Sequence, residues 1–454
     1  MVFISQAARA QDPAPAQDAT TQDAVAPDAP GDETSAPVVK NGFHLYQAGA
    51  STGYESIPGG ILGSGTDFRQ LGCDCGAVAA VTAGYTHTDA VNHLDLIYSP
   101  SYSGIYGVSG LQSFNQNFQL AWESRWGPKW SFALTAAADD SSVVELALQP
   151  FASLLTPSSS AGNLNTLSGA SPALPPSSLL YGGRVLSTGG RTSVTYLPTT
   201  RLHISLEAGA YQLQNRDGSS GQTSETTYVI PRTTFETVTA NLSYSLTPLS
   251  AAGVSVSTIM DHTALGDYRS TNATATYSRK LDKRWSILAE GGVGYYAPGA
   301  ITSDLSKQSP GGSQFVGELG AGYQGRENSF LVSYERSAGD LYGLASSSTD
   351  GGVGVWRWRQ PGRNWAAYLS VAYQRLTGGP LGDGTNWQAN AVLSKALTPR
   401  TSMILSYGFL KSSLGSGTIY SNDSIQVVRF TLLWSAFQVP AAFGGPLGSL
   451  GTPY

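Results

Sequence analysis

The sequence contains little charge. Only 13% of its 454 residues are Asp, Glu, Lys or Arg, whereas soluble domains carry about 25%. Hydrophobic residues do not make up the difference, since they are 41% of the chain and the mean hydropathy is -0.11. A soluble enzyme of this length would normally carry more charge. An α-helical membrane protein would carry far more apolar residues.

Long hydrophobic runs are also missing. No stretch reaches the ~18 consecutive apolar residues that a transmembrane helix requires. Glycine is abundant, with 53 residues, and it weakens any long helix. Aromatic residues are 10% of the chain, including 23 Tyr and 9 Trp. These features together favour an all-β protein, and a membrane β-barrel in particular.

The acidic charge is concentrated near the N-terminus. Residues 11–38 contain six acids and no Lys or Arg, and removing these six from the formal net charge of -5 leaves the rest of the chain at +1. The main body is therefore nearly neutral and has no basic surface. Binding to nucleic acid loses its electrostatic basis, and we predict no nucleic-acid partner.

Cysteine and histidine are scarce. The two cysteines, Cys73 and Cys75, lie two residues apart, and the five histidines show no metal-ligand spacing. The pair is interpreted as a small local disulfide, or as two loop thiols in an oxidising compartment. The sequence predicts no metal and no cofactor.

The two ends of the chain differ from its middle. Ala8-Arg9-Ala10 has the pattern of a signal-peptidase site, although the apolar stretch before it is short. We therefore interpret residues 1–10 as the remnant of a signal peptide that starts further upstream, the alternative being an ordinary cytoplasmic N-terminus. Residues 11–40 read as a disordered Ala/Pro/Asp-rich linker, and 438–454 form a C-terminal tail.

Between these ends the hydrophobicity alternates with a period of two. In residues 365–373 the odd positions are Trp, Ala, Leu, Val and Tyr, and the even positions between them include Ser370. This period places alternate side chains on opposite faces of a strand. It fits a soluble sandwich, with its apolar face inside, and also a membrane barrel, with its apolar face outside.

The spacing of the turns separates these two interpretations. Short polar turns are centred near residues 90, 128, 199, 248, 283, 326, 361 and 399, and longer Gly/Ser/Asp-rich segments lie between them. Strict alternation of short turns and long loops is typical of outer-membrane barrels. Eight short turns predict an antiparallel up-and-down barrel of 18 strands, from a first strand near 42–55 to a last near 424–436. If one doubtful turn is not counted, the predicted number of strands is 16.

The strand parity assigns two sets of residues. Aromatic residues beside the short turns predict a membrane-interface girdle: Trp126, Trp130, Tyr196, Trp285, Trp358, Trp365 and Trp434. Charged residues on the polar face predict a lumen lining, although they could also brace the wall: Glu123, Arg125, Glu207, Glu290, Glu318, Glu335, Arg357, Arg359 and Arg429.

With these features, residues 41–437 resemble Gram-negative outer-membrane β-barrel proteins of the porin size class. The resemblance implies that the last strand ends in an aromatic residue read by the barrel assembly machinery, here Phe437, with Tyr454 as the alternative. It also implies that the long third loop, 140–184, folds into the lumen as a constriction or plug. A loop packed over the rim, or in a subunit contact, is an equal alternative.

The expected function is an outer-membrane channel for passive or weakly selective diffusion of small polar solutes. A non-conducting structural or adhesion barrel is the second hypothesis. An outer-membrane hydrolase using His262 beside Asp261 is the third, and a soluble secreted β-sandwich is a minor alternative. The expected partners are outer-membrane lipid, the assembly machinery and small polar solutes. A homo-oligomer is left open.

Overall fold

The computed structural model describes eighteen β-strands. It covers residues 41–56, 75–105, 113–142, 184–216, 232–263, 266–298, 311–338, 348–360, 364–378, 383–414 and 424–436. The strands are β1 Gly42–Ser56, β2 Cys75–Thr88, β3 Asn92–Ile105, β4 Ser113–Trp126, β5 Trp130–Ser142, β6 Arg184–Tyr196, β7 Leu202–Asn215, β8 Arg232–Thr247, β9 Ser250–Thr263, β10 Gly266–Lys280, β11 Trp285–Pro298, β12 Gly312–Gln324, β13 Asn328–Ala338, β14 Ser348–Gln360, β15 Trp365–Thr377, β16 Gly384–Thr398, β17 Thr401–Leu414 and β18 Ser424–Ser435.

These strands form one closed antiparallel sheet. Each strand pairs with its neighbours in the sequence, and β1 pairs with both β2 and β18. Closure gives every strand two partners, so the sheet has no unpaired edge strand. The prediction of an 18-stranded up-and-down barrel is confirmed, and the alternative of 16 strands is wrong. Among the described residues, no helix is long and apolar enough to cross a membrane.

The predicted short turns all connect consecutive strands. They lie between β2 and β3, β4 and β5, and so on to β16 and β17. The connections at the other end of the barrel are longer, with one exception. Only residues 264–265 separate β9 from β10, so the expected long loop at that position is wrong.

Aspartate carboxylates fix two of the short turns. Asp282 accepts hydrogen bonds from the backbone amides of Arg284 and Trp285, at 2.6 and 2.7 Å. Asp89 does the same for Val91 and Asn92, at 2.8 and 2.7 Å. In each case these amides favour the ionised carboxylate and hold its pKa below the ordinary value. The turn is therefore best formed when the aspartate is charged.

The Asp282 turn makes a pH-dependent prediction. Because the folded-state pKa is depressed, the carboxylate stabilises the turn above the unfolded-state pKa, and this contribution is lost as the pH falls through the folded-state value. We expect Asp282→Ala to lower the unfolding midpoint at pH 7 and to make little difference at pH 2. Urea unfolding followed by tryptophan fluorescence measures both. Asp282→Asn, which keeps an acceptor oxygen without the charge, is the control. An equal loss at both pH values would contradict the assignment.

The wall has two faces, which β8 shows clearly. Its residues alternate between exposed and half-buried from Glu236 to Ser245. The exposed set includes Val238, Leu242 and Tyr244, and the other set is mostly Thr, Ser and Asn. Since apolar side chains are the exposed ones, the apolar face is the outside of the barrel and the polar face the inside.

The barrel wall separates locally between β12 and β13. Their ladder ends at the pair Gly317 and Arg336, although β12 continues to Gly312 beside β11. Beyond Arg336, β13 stays paired only with β14, up to Ala338 and Ser348. We call this separation the fork, with Gly312–Val316 on one side and Ser337–Ala338 on the other.

The free end of β13 lies on the inner side of the barrel. A Cβ placed on Gly294 of β11 would lie 2.5 Å from the Cβ of Ala338 and 2.6 Å from Cγ1 of Val316. Ala338 is buried, at 2% exposure. Gly294 therefore provides the space that lets β13 cross the inner face of β11, and the end of β13 occupies part of the lumen.

Candidate functional site

The outer surface is apolar in the middle of the strands and charged near their ends. On β8, the outward positions between Glu236 and Leu246 are Val238, Ala240, Leu242 and Tyr244. On β10, Arg269 and Arg279 bracket a similar uncharged interval. Many outward residues are large and at least one-third exposed, including Leu206, Val254, Leu319, Val332 and Phe430. Such a band is suited to contact with lipid hydrocarbon.

The predicted girdle residues lie on outward positions at the turn ends of their strands. Trp130 stacks on Tyr196 with ring centroids 4.3 Å apart, and Trp285 contacts Tyr323 at 5.0 Å. The ammonium of Lys395 lies 5.1 Å from the centre of the Trp365 ring. Amphipathic rings next to charged groups are favoured where a membrane meets water. Trp126, Trp358 and Trp434 have the same outward parity.

The nine predicted lumen charges share the inward parity of their strands. They occur on five separate regions of the wall: β4 (Glu123 and Arg125), β7 (Glu207), β11–β13 (Glu290, Glu318 and Glu335), β14 (Arg357 and Arg359) and β18 (Arg429). The structure does not bring them together into one cluster. The β11–β13 region is acidic and the β14 and β18 residues are basic, whereas β4 carries one charge of each sign.

Several of these charges have identified partners. Glu207 forms an ion pair with Arg191 of β6, and both side chains are largely buried. The guanidinium of Arg357 lies 5.9 Å from the centre of the Tyr368 ring, a cation–π geometry. Arg191 was not among the predicted lumen charges. Arg191 and Val185 are six residues apart on β6 and therefore share the inward face. The glycines at 189 and 190 interrupt the alternation that would have shown this in the sequence.

The three glutamates of β11–β13 form a row. Glu290 pairs directly with Glu318, and Glu318 pairs directly with Glu335. Residues directly opposite each other on antiparallel strands have Cβ atoms about 4.5–5.5 Å apart, and like charges in such positions are destabilising. We call these three residues the carboxylate row. It lies immediately on the turn side of the fork, because Gly317 and Arg336 form the next pair.

A second inner feature is a row of amides on β16. Asn386, Gln388 and Asn390 occupy successive inward positions and are all at least 97% buried. Within the described part of the chain, neither amide atom of Gln388 has a hydrogen-bond partner, nor does Oδ1 of Asn386 or Asn390. By contrast, inward residues of β7 and β9, such as Ser205 and Ser255, are only half-buried. The inner wall is therefore covered more closely on the side of β16.

A buried hydrogen-bond network joins the turn ends of β1, β2 and β3. The hydroxyl of Tyr46 donates to Thr86 (2.5 Å), and Thr86 donates to Asp95 (2.7 Å). His93 donates from Nε2 to Asp95 (2.6 Å), and its Nδ1 lies 2.8 Å from the hydroxyl of Thr88. Asp95 is 1% exposed, so these donors take the place of water around its carboxylate. The only sequence signal was the spacing of His93 and Asp95, two residues apart on one face.

This network predicts a measurable loss of stability in Asp95→Ala. The substitution removes the acceptor for Thr86 and His93 and leaves buried donors without partners, which costs about 1–3 kcal/mol. Urea unfolding of the refolded barrel measures this loss. Glu236→Ala is the matched control, because Glu236 lies at an outward, exposed position on β8. Equal unfolding midpoints for the wild type and Asp95→Ala would contradict a stabilising role.

The proposed hydrolase pair is not assembled. Asp261 and His262 are consecutive residues of β9, so they face opposite sides of the wall. Asp261 faces inward and is 5% exposed, whereas His262 faces outward and its Nδ1 is 3.0 Å from Asp267. Within the described strands, no group of three or more His, Cys, Asp or Glu side chains could hold a metal ion.

Several sequence predictions fall on residues that the structure does not describe. These are the leader 1–10, the linker 11–40, Cys73, Phe437 and the tail 438–454. Cys75 begins β2 and is disulfide-bonded. The third loop begins later than expected, because Asp140 and Arg184 lie in β5 and β6 and form an ion pair at 2.7 Å. Its remaining residues, 143–183, are outside the described part.

No protein-family model matches the chain, and the comparison with curated proteins finds no match. Similar solved structures include OccAB4 of Acinetobacter baumannii, with 9% identity, a TM-score of 0.42, and coverage of 89% of this chain and 99% of that one. OprD of Pseudomonas aeruginosa has 10% identity, a TM-score of 0.42, and coverage of 89% and 97%. The FrpB iron transporter of Neisseria meningitidis has 10% identity, a TM-score of 0.41, and coverage of 82% and 63%.

The assignment of the fold depends on the closed ladder of paired strands and not on these structural similarities. Barrels of 16–18 strands are the size found in porins. The chain folds as a porin-sized β-barrel.

Proposed function

We propose that the protein is an outer-membrane channel for passive diffusion of small polar solutes. The observation that carries this proposal is the two-faced wall of a closed 18-stranded barrel. Its outward mid-strand residues are apolar and uncharged, and its inward face is rich in Ser, Thr, Asn, Gln and charged groups, with apolar residues such as Ile404 and Leu433 on the side of β16–β18. A barrel of this size has a lumen wide enough for an aqueous channel, and a polar inner face stabilises water within it.

The proposed location follows from the same surface. An apolar band with aromatic residues at the turn ends suits a bilayer, and closed antiparallel barrels with an even strand number are typical of bacterial outer membranes. We propose outer-membrane lipid as the surrounding partner. Recognition of Phe437 by the assembly machinery and assembly into a homo-oligomer stay predictions.

Liposome swelling tests the channel proposal. The purified full-length chain, reconstituted into liposomes, should allow small sugars and amino acids to enter at rates that fall steeply with solute size. Protein-free liposomes and liposomes with a small closed barrel of known impermeability are the controls. Swelling no faster than in these controls, for every solute, would overturn the proposal.

A non-conducting barrel is the second candidate, and the burial of the inner wall near β16 favours it. Gln388, Ile404 and Leu433 all face inward and are at most 2% exposed. If the lumen were closed throughout, the protein would act as a membrane anchor. The swelling experiment distinguishes the two candidates, because only a channel gives uptake that depends on solute size.

A further inference from the structure

We propose that the carboxylate row, Glu290, Glu318 and Glu335, makes the channel prefer small cations and cationic solutes over anions. This inference rests on the proposed channel function and adds a solute class to it. The row lies where the end of β13 enters the lumen.

The first observation is the direct register of three like charges. Glu290 and Glu318 are directly opposite each other on β11 and β12, and Glu318 and Glu335 are directly opposite each other on β12 and β13. Their mutual repulsion is unfavourable for the fold. Repulsion of this kind is relieved when a carboxylate of the row takes up a proton or when a cation binds beside it.

A second observation concerns the middle carboxylate. Glu318 is only 5% exposed, and among the described residues its side chain is in no ion pair and accepts no hydrogen bond. A buried carboxylate without a partner is costly as an anion, and it takes up a proton unless a cation offsets its charge. A cation that comes from the lumen would supply that charge in place of the proton.

The neighbouring strands supply no such cation within the described residues. The inward residues of β10 that flank Glu290 are Thr274 and Thr276, and Thr274 bonds to Glu290. The inward residues of β14 beside Glu335 are Gly351 and Val353. Arg336 follows Glu335 but faces outward, where it pairs with Asp350 at 3.6 Å.

The lumen is accessible at one end of the row. Glu335 is exposed although it faces inward, so its carboxylate meets lumen water. Glu318 lies next to it and Glu290 follows, partly buried. A cation that enters from the lumen would contact Glu335 first and would also offset the negative charge of Glu318. Rings or patches of carboxylates in a pore favour cation passage in this way.

The test is the reversal potential of the full-length protein in a planar bilayer with a KCl gradient. The wild type should show a permeability ratio of K⁺ to Cl⁻ above one. In the triple variant Glu290→Gln, Glu318→Gln, Glu335→Gln, this ratio should fall by about twofold or more, with conductance retained. Glu236→Gln, which removes a carboxylate from an outward position on β8, is the matched control and should leave the ratio unchanged.

The outcomes separate this inference from the channel proposal. A conducting wild type with equal K⁺ and Cl⁻ permeability, or an anion preference, would overturn the cation inference and leave the channel proposal standing. An unchanged ratio in the triple variant would also overturn it. Absence of current and of liposome swelling would instead overturn the channel. Because the wild-type reversal potential needs no variant, the inference stays testable if the triple variant fails to fold.

Discussion

Val256→Arg should strongly impair insertion and folding of the barrel, whereas Ser257→Arg should not. Val256 lies in the middle of the outward face of β9 and is 48% exposed, so we expect lipid hydrocarbon around it. Arginine at the midplane of a lipid-facing strand costs about 2–4 kcal/mol. Ser257 is the next residue and faces the lumen, where a guanidinium remains hydrated.

The two variants form a matched pair that differs only in the face of the wall. The fraction of heat-modifiable folded protein after refolding into lipid, together with the urea midpoint, measures the effect. We expect a large loss for Val256→Arg and a small one for Ser257→Arg, whose added charge should also lower the conductance. If both variants lose equally, or if Ser257→Arg loses more, the assignment of the two faces is wrong.

Gly294→Val should move the end of β13 away from β11. The added side chain would overlap Ala338, Val316 and Asn272. Overpacking of this kind typically costs about 1–3 kcal/mol. Because Ala338 belongs to the end of β13 that has left the β12 ladder, displacement of β13 is the easiest way to relieve the overlap. The lumen would become wider at the fork, and both unitary conductance and the largest solute admitted should increase.

Gly291→Val is the control for this experiment. Gly291 faces outward on the same strand, and a Cβ at this position would have only ordinary contact with the Phe315 ring, at 3.8 Å. It should leave conductance unchanged. A Gly294→Val channel with wild-type conductance and an unchanged solute limit would show that the fork does not narrow the lumen.

The 18-stranded barrel could be predicted from the sequence because the alternation of apolar and polar residues and the spacing of the turns are local signals. The alternation in residues 365–373 shows directly which side chains share a face of β15, and the eight short turns give the number of strands. The inward parity of Glu290, Glu318 and Glu335 was also readable from sequence. That they form a row was not, because the register between strands depends on turn geometry at each hairpin.

Other features depend on contacts that are distant in sequence. At the fork, Ala338 of β13 lies beside Gly294 of β11. No local sequence pattern signals that β13 separates from β12 before β12 ends. The network around Asp95 needs Tyr46 from another strand. The tight connection between β9 and β10 was missed because Ala264-Leu265 lacks the Gly, Pro or Asn that usually marks a two-residue turn.

Single-channel recording of the purified full-length chain in a planar bilayer tests the central claim most directly. The account predicts stepwise unitary currents whose conductance increases with salt concentration and decreases in Ser257→Arg. Folded, inserted protein that gives no unitary current at any voltage or salt concentration would contradict it, and would favour the closed, non-conducting barrel instead.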